Sequence, residues 1–131
     1  MEETVSNISS TTPDKSLSAT PETRKRKFIR LGRFDSMDKD SPNVLEVKPQ
    51  TRQIYATEYS QCTDVSYKDN GIWIDAILPL RSNGSANVSL INQWSRGLDS
   101  GRIKIGKTVK ILTWLDKSRN DRMIRRFRLV Y

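Results

Sequence analysis

The dipeptide Asn70-Gly71 constrains the fold more than any other feature of the chain. Both residues tolerate positive φ, and KDNG (68–71) sits between two strand-forming runs, the signature of a tight β-hairpin turn. On one side, QCTDVSY (61–67) alternates, with Thr63, Val65 and Tyr67 opposed to Cys62, Asp64 and Ser66. On the other, IWIDAILPL (72–80) is the most apolar stretch of the molecule. Its near-continuous hydrophobicity predicts a central strand buried on both faces and ended by Pro79. A hairpin over 61–80 commits the chain to a sheet.

The flanking segments fit that sheet. VLEVK (44–48) and RQIYATEY (52–59) are rich in strand formers. ANVSLINQWSRGL (86–98) places Leu90, Ile91, Trp94 and Leu98 on one helical face, with Ser85 or Asn87 as N-cap and Gly97 or Gly101 as stops. Period two returns in RIKIGKTVKILTWL (102–115), where Gly106-Lys107 reads as a bulge. DKSRND (116–121) is a polar turn, and DRMIRRFRLVY (121–131) follows. A helix over that last stretch would end in Val130 and Tyr131, poor helix formers, so a strand is the better expectation. Met123, Arg125, Phe127, Leu129 and Tyr131 then share one face, and Ile124, Arg126, Arg128 and Val130 the other. The order β-β-β-β-α-β-β describes an α+β domain: a small, mainly antiparallel sheet with one helix packed on it.

Residues 1–23, rich in Ser, Thr, Glu and Pro, have no sustained apolar period and are expected to form a disordered tail. Residues 24–43 comprise a basic arm, from the run TRKRKFIRLGRF, and an acidic linker, DSMDKDSPN. The folded domain is expected over 44–131, ending in a basic hairpin.

Of 131 residues, 23 are Lys or Arg and 15 Asp or Glu, for a net charge of +8. Residues 102–131 hold ten cations and two acids, so this segment carries the whole excess. A chain so biased attracts polyanions. There is no histidine and one cysteine, Cys62. These counts exclude an intrachain disulfide, the usual zinc ligand sets and any mechanism that needs imidazole. MEETVSNISSTTPD lacks an apolar signal core, and no run approaches the ~20 apolar residues of a membrane span. An intracellular protein of nucleus or cytoplasm is expected, neither secreted nor membrane-spanning.

Candidate chemistry is sparse. Cys62 lacks an activating histidine and reads as a small core residue. Asp75 interrupts IWIDAIL, where a charge is costly unless paired. With Asp64 across the hairpin it is the only hint of a metal-dependent nuclease, and pairing with an Arg or Lys is the simpler reading. Gly101 to Thr108 matches the phosphate-loop string G-x-x-x-x-G-K-T, but Ile103 and Ile105 alternate inside it and a strand follows, where a helix is required. No catalytic residue, metal or cofactor is assigned.

The remaining reading is a non-enzymatic nucleic-acid-binding accessory or structural protein, of a layout common among viral proteins. RNA or single-stranded DNA would be held by phosphate neutralisation with little sequence specificity. The expected contacts are Arg24, Lys25, Arg26, Lys27 and Arg30 in the arm, which also resembles a nuclear-localisation signal, and Lys104, Lys107, Lys110, Arg119, Arg122, Arg126 and Arg128 in the C-terminal segment. Trp114 is the preferred base-stacking residue, while Trp73 and Trp94 are assigned to the core. As alternatives, the arm docks Ile29, Leu31 and Phe34 as an edge strand, or the protein is matrix-like or an adaptor. In the latter case its basic surface meets anionic membrane or an acidic protein, and it self-assembles into a homo-oligomer.

Overall fold

Asn70 and Gly71 adopt φ of 51° and 79°, the left-handed pair a type I′ turn requires. In the computed structural model, which describes residues 26–58, 60–82 and 88–131, they join β4 (Ser60–Asp69) to β5 (Ile72–Ser82). The two strands pair antiparallel from Asp69↔Ile72 to Ser60↔Ser82, with a register shift at Gln61/Cys62. Pro79 does not end β5. It pairs with Cys62 beside that irregularity, a place where a strand tolerates a residue without an N–H.

The second edge of β4 is divided between two strands. β2 (Asn43–Pro49) pairs with Val65–Tyr67, and β3 (Tyr55–Ala56) with Gln61–Cys62. β6 (Val109–Lys117) joins β2, and β7 (Met123–Val130) joins β6, both antiparallel. The seventh strand, β1 (Lys27–Phe28), lies parallel to β5 at Ala76–Ile77. The strand order is β1-β5-β4-β2-β6-β7, with β3 beside β4. The α+β class holds, but the expected small, mainly antiparallel sheet is a seven-stranded mixed one. The difference lies in the arm, whose cations mask two residues that must be buried.

Those residues are Ile29 and Leu31, 2% and 6% exposed. Ile29 N–H donates to Ile77 O (3.0 Å), a 3-10 turn spans Leu31–Arg33, and Leu115 N–H donates to Ser36 O (2.7 Å). Residues 29–36 therefore run as a strap from the β5 side of the sheet to β6. Burying Ile29 and Leu31 contributes about 1.5–3 kcal/mol each, enough to hold a strap that also carries Arg30 and Arg33. The domain start expected at Val44 leaves out these members of the core. The tail expected over 1–23 lies outside the described residues.

Helix α1 (Val88–Asp99) covers the remainder of the same face, which is the inner face of the sheet. Leu90, Trp94 and Leu98 are buried against Leu45, Val47, Val65, Leu78, Ile111 and Leu129. The expected caps Ser85 and Asn87 lie outside the described residues. Gln93 ties the helix to the free edge of β7: its Nε2 donates to Phe127 O (2.9 Å), and its Oε1 accepts from Leu129 N–H (3.1 Å). The strand expected over 102–115 begins only at Val109. Ile103 is buried and its N–H donates to Gly97 O (2.9 Å), while Ile105 is 60% exposed and Gly106, at φ 81°, turns its N–H to Pro49 O (2.8 Å). The alternation before Gly106 thus belongs to a loop anchored by Ile103. No helix among the described residues is long and apolar enough to cross a membrane.

Candidate functional site

Strand pleating and register sort the side chains between two faces. Phe127 and Leu129 sit inward opposite Thr113 and Ile111, whereas Arg126 and Arg128 sit outward opposite Trp114 and Leu112. No helix or strap among the described residues covers this outer face over β6 and β7, whereas Gln50, Tyr55 and Arg26 lie over its β4–β5 part. Crossing it from β5 to β7, one row reads Trp73, Lys68, Glu46, Lys110, Val130, and the next holds Val44, Leu112 and Arg128. Val44 and Val130 are 51% and 43% exposed.

The charges on this face are not equivalent. Arg126 Nε meets Asp116 Oδ2 at 3.3 Å, and Lys68 Nζ meets Glu46 Oε1 at 3.9 Å. Such exposed pairs contribute little to stability, and a stronger anion can displace them. Lys48 Nζ stands 4.1 Å from the centre of the Trp73 ring, a cation–π contact. Lys110 and Arg128 have no carboxylate partner among the described residues. Trp114, half-buried, lies directly across from Arg126. Trp73 is not in the core as expected. It is half-buried on the outer face beneath Lys48, at the start of β5, whereas Ile77 and Pro79 further along the same face are buried. Three strand spacings and four residues of rise separate the two tryptophans by about 20 Å, too far to sandwich one base between them.

Arg125 occupies the inner face opposite Leu115 and is half-buried, its Nη1 donating to Thr113 Oγ1 (3.3 Å). Burial pushes its guanidinium down from the ordinary value, opposed by the Asp35 carboxylate on the strap.

The other expected contacts do not share one surface. Arg24 and Lys25 lie outside the described residues. Arg26 is committed internally: Nη1 donates to Gln50 Oε1 (2.6 Å) and lies 3.8 Å from Asp75 Oδ1. Lys27 Nζ is 2.7 Å from Asp69 Oδ2, and Arg30 belongs with it at the strap. Lys104 and Lys107 are in the α1–β6 loop, and Arg119 and Arg122 in the β6–β7 turn. Arm and C-terminal cations thus fall at opposite edges of the sheet. Within the expected set, the outer face brings together Lys110, Arg126, Arg128 and Trp114.

Asp64 and Asp75 are diagonal neighbours on the outer face of the β4–β5 hairpin. Asp64 Oδ1 accepts from Tyr55 Oη (2.8 Å), and Asp75 Oδ1 from Gln50 Nε2 (2.8 Å), which also donates to Ser66 Oγ (2.9 Å). The pairing of Asp75 with a cation is the simpler of its two expected readings. Burial, and then the bond to Asp64, push the Tyr55 phenol far up. Among the described residues no group of three His, Cys, Asp or Glu side chains is placed to hold a metal ion. Cys62 is buried, its thiol pushed up by burial and its Sγ 2.9 Å from Ser60 Oγ.

A second group of cations joins two expected contacts, Lys27 and Arg30, to one outside the expected set, Arg33. Lys27, Arg30 and Arg33 line a half-open cavity of about 390 Å³ under the strap, closed on the other side by Tyr67 and the tip of the β4–β5 hairpin. Arg33 has no sequence signal that separates it from the rest of the arm. Its position depends on the 3-10 turn that Leu31 anchors.

Compared with known protein families, with curated proteins and with solved structures, the chain matches none of them.

Proposed function

We propose that the protein is a non-enzymatic binder of single-stranded nucleic acid and that the outer face of β6 and β7 is its contact surface. Lys110, Arg126 and Arg128 take phosphates, Arg126 exchanging Asp116 for the ligand, and Trp114 offers its ring to one base. The observation that carries this reading is that Lys110 and Arg128, unpaired among the described residues, stand on an uncovered sheet face beside Trp114. No donor and acceptor pattern on the face matches particular bases, so modest sequence preference is expected.

The test is a salt titration of binding to a fluorescent single-stranded oligonucleotide. Three phosphate contacts give a slope of log K against log salt of about −2, and Lys110→Ala/Arg128→Ala reduces it by about 1.4. Trp114→Ala costs about 1–3 kcal/mol of binding, and Trp114→Phe recovers part of it. An unchanged slope in the double variant, or no binding at low salt, sinks the assignment. The exposed Val44 and Val130 around Lys110 also suit an anionic lipid surface. Flotation with anionic vesicles, together with absent oligonucleotide binding, would replace the first reading by that one.

A further inference from the structure

We propose that the cavity under the strap is a second site, independent of the outer face, and that it takes a nucleoside 5′-monophosphate group. It lies at the other edge of the sheet and on the inner face, so it stands or falls separately from the reading above.

Charge comes first. Three cations, Lys27, Arg30 and Arg33, line a cavity whose wall holds, among the described residues, one carboxylate, Asp69. Asp69 is already engaged by Lys27 at 2.7 Å. The guanidiniums of Arg30 and Arg33 have no carboxylate partner among the described residues. Both arginines line the half-open cavity and keep contact with solvent. Two free guanidiniums match the charge of a phosphate monoester, between −1.5 and −2 near neutral pH, better than the single charge of a diester.

Shape and lining come next. The cavity lies at the lower end of the ~300–1,000 Å³ usual for small-molecule sites, room for one nucleotide and little more. Its base is apolar: Ile29, itself nearly inaccessible, with the half-buried ring of Phe34 beside it. Tyr67 forms a second aromatic wall, with Lys27 Nζ 5.6 Å from its ring centre. Asn70, in the hairpin tip, brings an amide that donates and accepts. A mainly polar lining that also holds the rings of Phe34 and Tyr67, with an amide at the rim, suits a nucleobase. A plain phenyl ring would leave that amide unmatched.

The geometry is held by features that also build the fold. Leu31 fixes the 3-10 turn that aims Arg33, and Asn70 and Gly71 hold the left-handed turn that presents the hairpin tip to the strap. Arg30 and Arg33 are exposed, so removing them does not touch the core.

Equilibrium dialysis of the full chain with labelled adenosine 5′-monophosphate tests the proposal, with adenosine and phenyl phosphate as competitors. Saturable binding is expected, with adenosine and phenyl phosphate each at least ten-fold weaker. Arg30→Ala/Arg33→Ala should weaken binding at least ten-fold while leaving the thermal transition in place, and Lys110→Ala/Arg128→Ala should leave it unchanged. Competition by 5′-phosphorylated but not 5′-hydroxyl oligonucleotide assigns the group to a strand end. Competition by neither assigns it to the free nucleotide. Both outcomes support the site. The proposal is overturned if the monophosphate does not bind, if adenosine competes equally, or if Arg30→Ala/Arg33→Ala is without effect. It is also overturned if phenyl phosphate binds more tightly, which would indicate a phosphotyrosine-like ligand.

Discussion

Gly97→Ala sets two opposing effects against each other at one buried position. Gly97 lies in the last turn of α1, where helix propensity alone favours alanine by up to about 1 kcal/mol. A Cβ there would lie 2.5 and 2.6 Å from Ile103 Cδ1 and Cγ1 and 2.9 Å from the Tyr131 hydroxyl. Tyr131 is 42% exposed and can yield. Ile103 cannot, because it is fully buried and its N–H is bonded to Gly97 O at 2.9 Å. Overpacking of this kind costs about 1–3 kcal/mol, so the clash should win by about 1 kcal/mol, with a fall in Tm of about 4–8 °C. Circular-dichroism melts and urea titrations would measure it. A double-mutant cycle isolates the cause. Ile103→Ala alone should cost about 2–5 kcal/mol through its cavity, and in that background Gly97→Ala should become neutral or stabilising because the new methyl fills space. A stabilising effect in the wild-type background, or the same cost in both backgrounds, would refute steric exclusion by Ile103. The outer face is untouched, so oligonucleotide affinity below the transition should not change.

Gln93→Ala removes both bonds from α1 to the edge of β7, at about 1 kcal/mol each. The expected result is a loss of 1–2 kcal/mol in urea and faster hydrogen exchange at the Leu129 amide, and unchanged Leu129 protection would dismiss the bridge. Tyr55→Phe should flatten the alkaline limb of the stability curve. The folded phenol keeps a proton that the unfolded chain releases above pH ~10, so its contribution is whole below that pH and is lost as pH rises through the higher folded value. Tyr67 and Cys62, also pushed up by burial, leave a residual slope. Parallel wild-type and variant curves above pH ~10 would contradict it.

What the chain discloses locally and what it withholds follow a physical division. The β4–β5 hairpin is readable because a positive-φ pair, an alternating run and a near-continuous apolar run act within twenty residues. The faces of β7 are readable because pleating alone separates Arg126 and Arg128 from Phe127 and Leu129. The strap is readable only as an alternative, the docking of Ile29, Leu31 and Phe34 as an edge strand, which the structure takes up with β1 at the sheet edge. Ile29 and Leu31 are two apolar residues in a run of cations, and their burial depends on Ile77, about fifty residues away, whose carbonyl Ile29 meets. The parallel pairing of β1 with β5 likewise has no local signature. The cavity joins Arg30 and Arg33 to Tyr67 and Asn70 only after both events.

The open outer face had a signal that apolarity obscured. IWIDAILPL reads as buried on both sides, which holds from Ala76 to Leu80; its first half opens outward, where Asp75 shares a face with Trp73, and a carboxylate mid-strand is costly under a covering layer. A single helical pattern in the chain says the same thing more generally. One twelve-residue helix, about 18 Å long, cannot cover both faces of a seven-stranded sheet. Any apolar or aromatic residue on the second face must then be screened by its neighbours or held for a partner. Trp73 is screened by Lys48 at 4.1 Å. Trp114 has Arg126 across from it, and that arginine already leans to Asp116 at 3.3 Å. An anion that draws Arg126 away would leave the Trp114 ring more accessible, so phosphate capture and base stacking at this pair should be coupled. A double-mutant cycle between Arg126→Ala and Trp114→Ala in oligonucleotide binding should therefore show non-additivity of about 0.5 kcal/mol or more, and strict additivity would mean that the two side chains act apart.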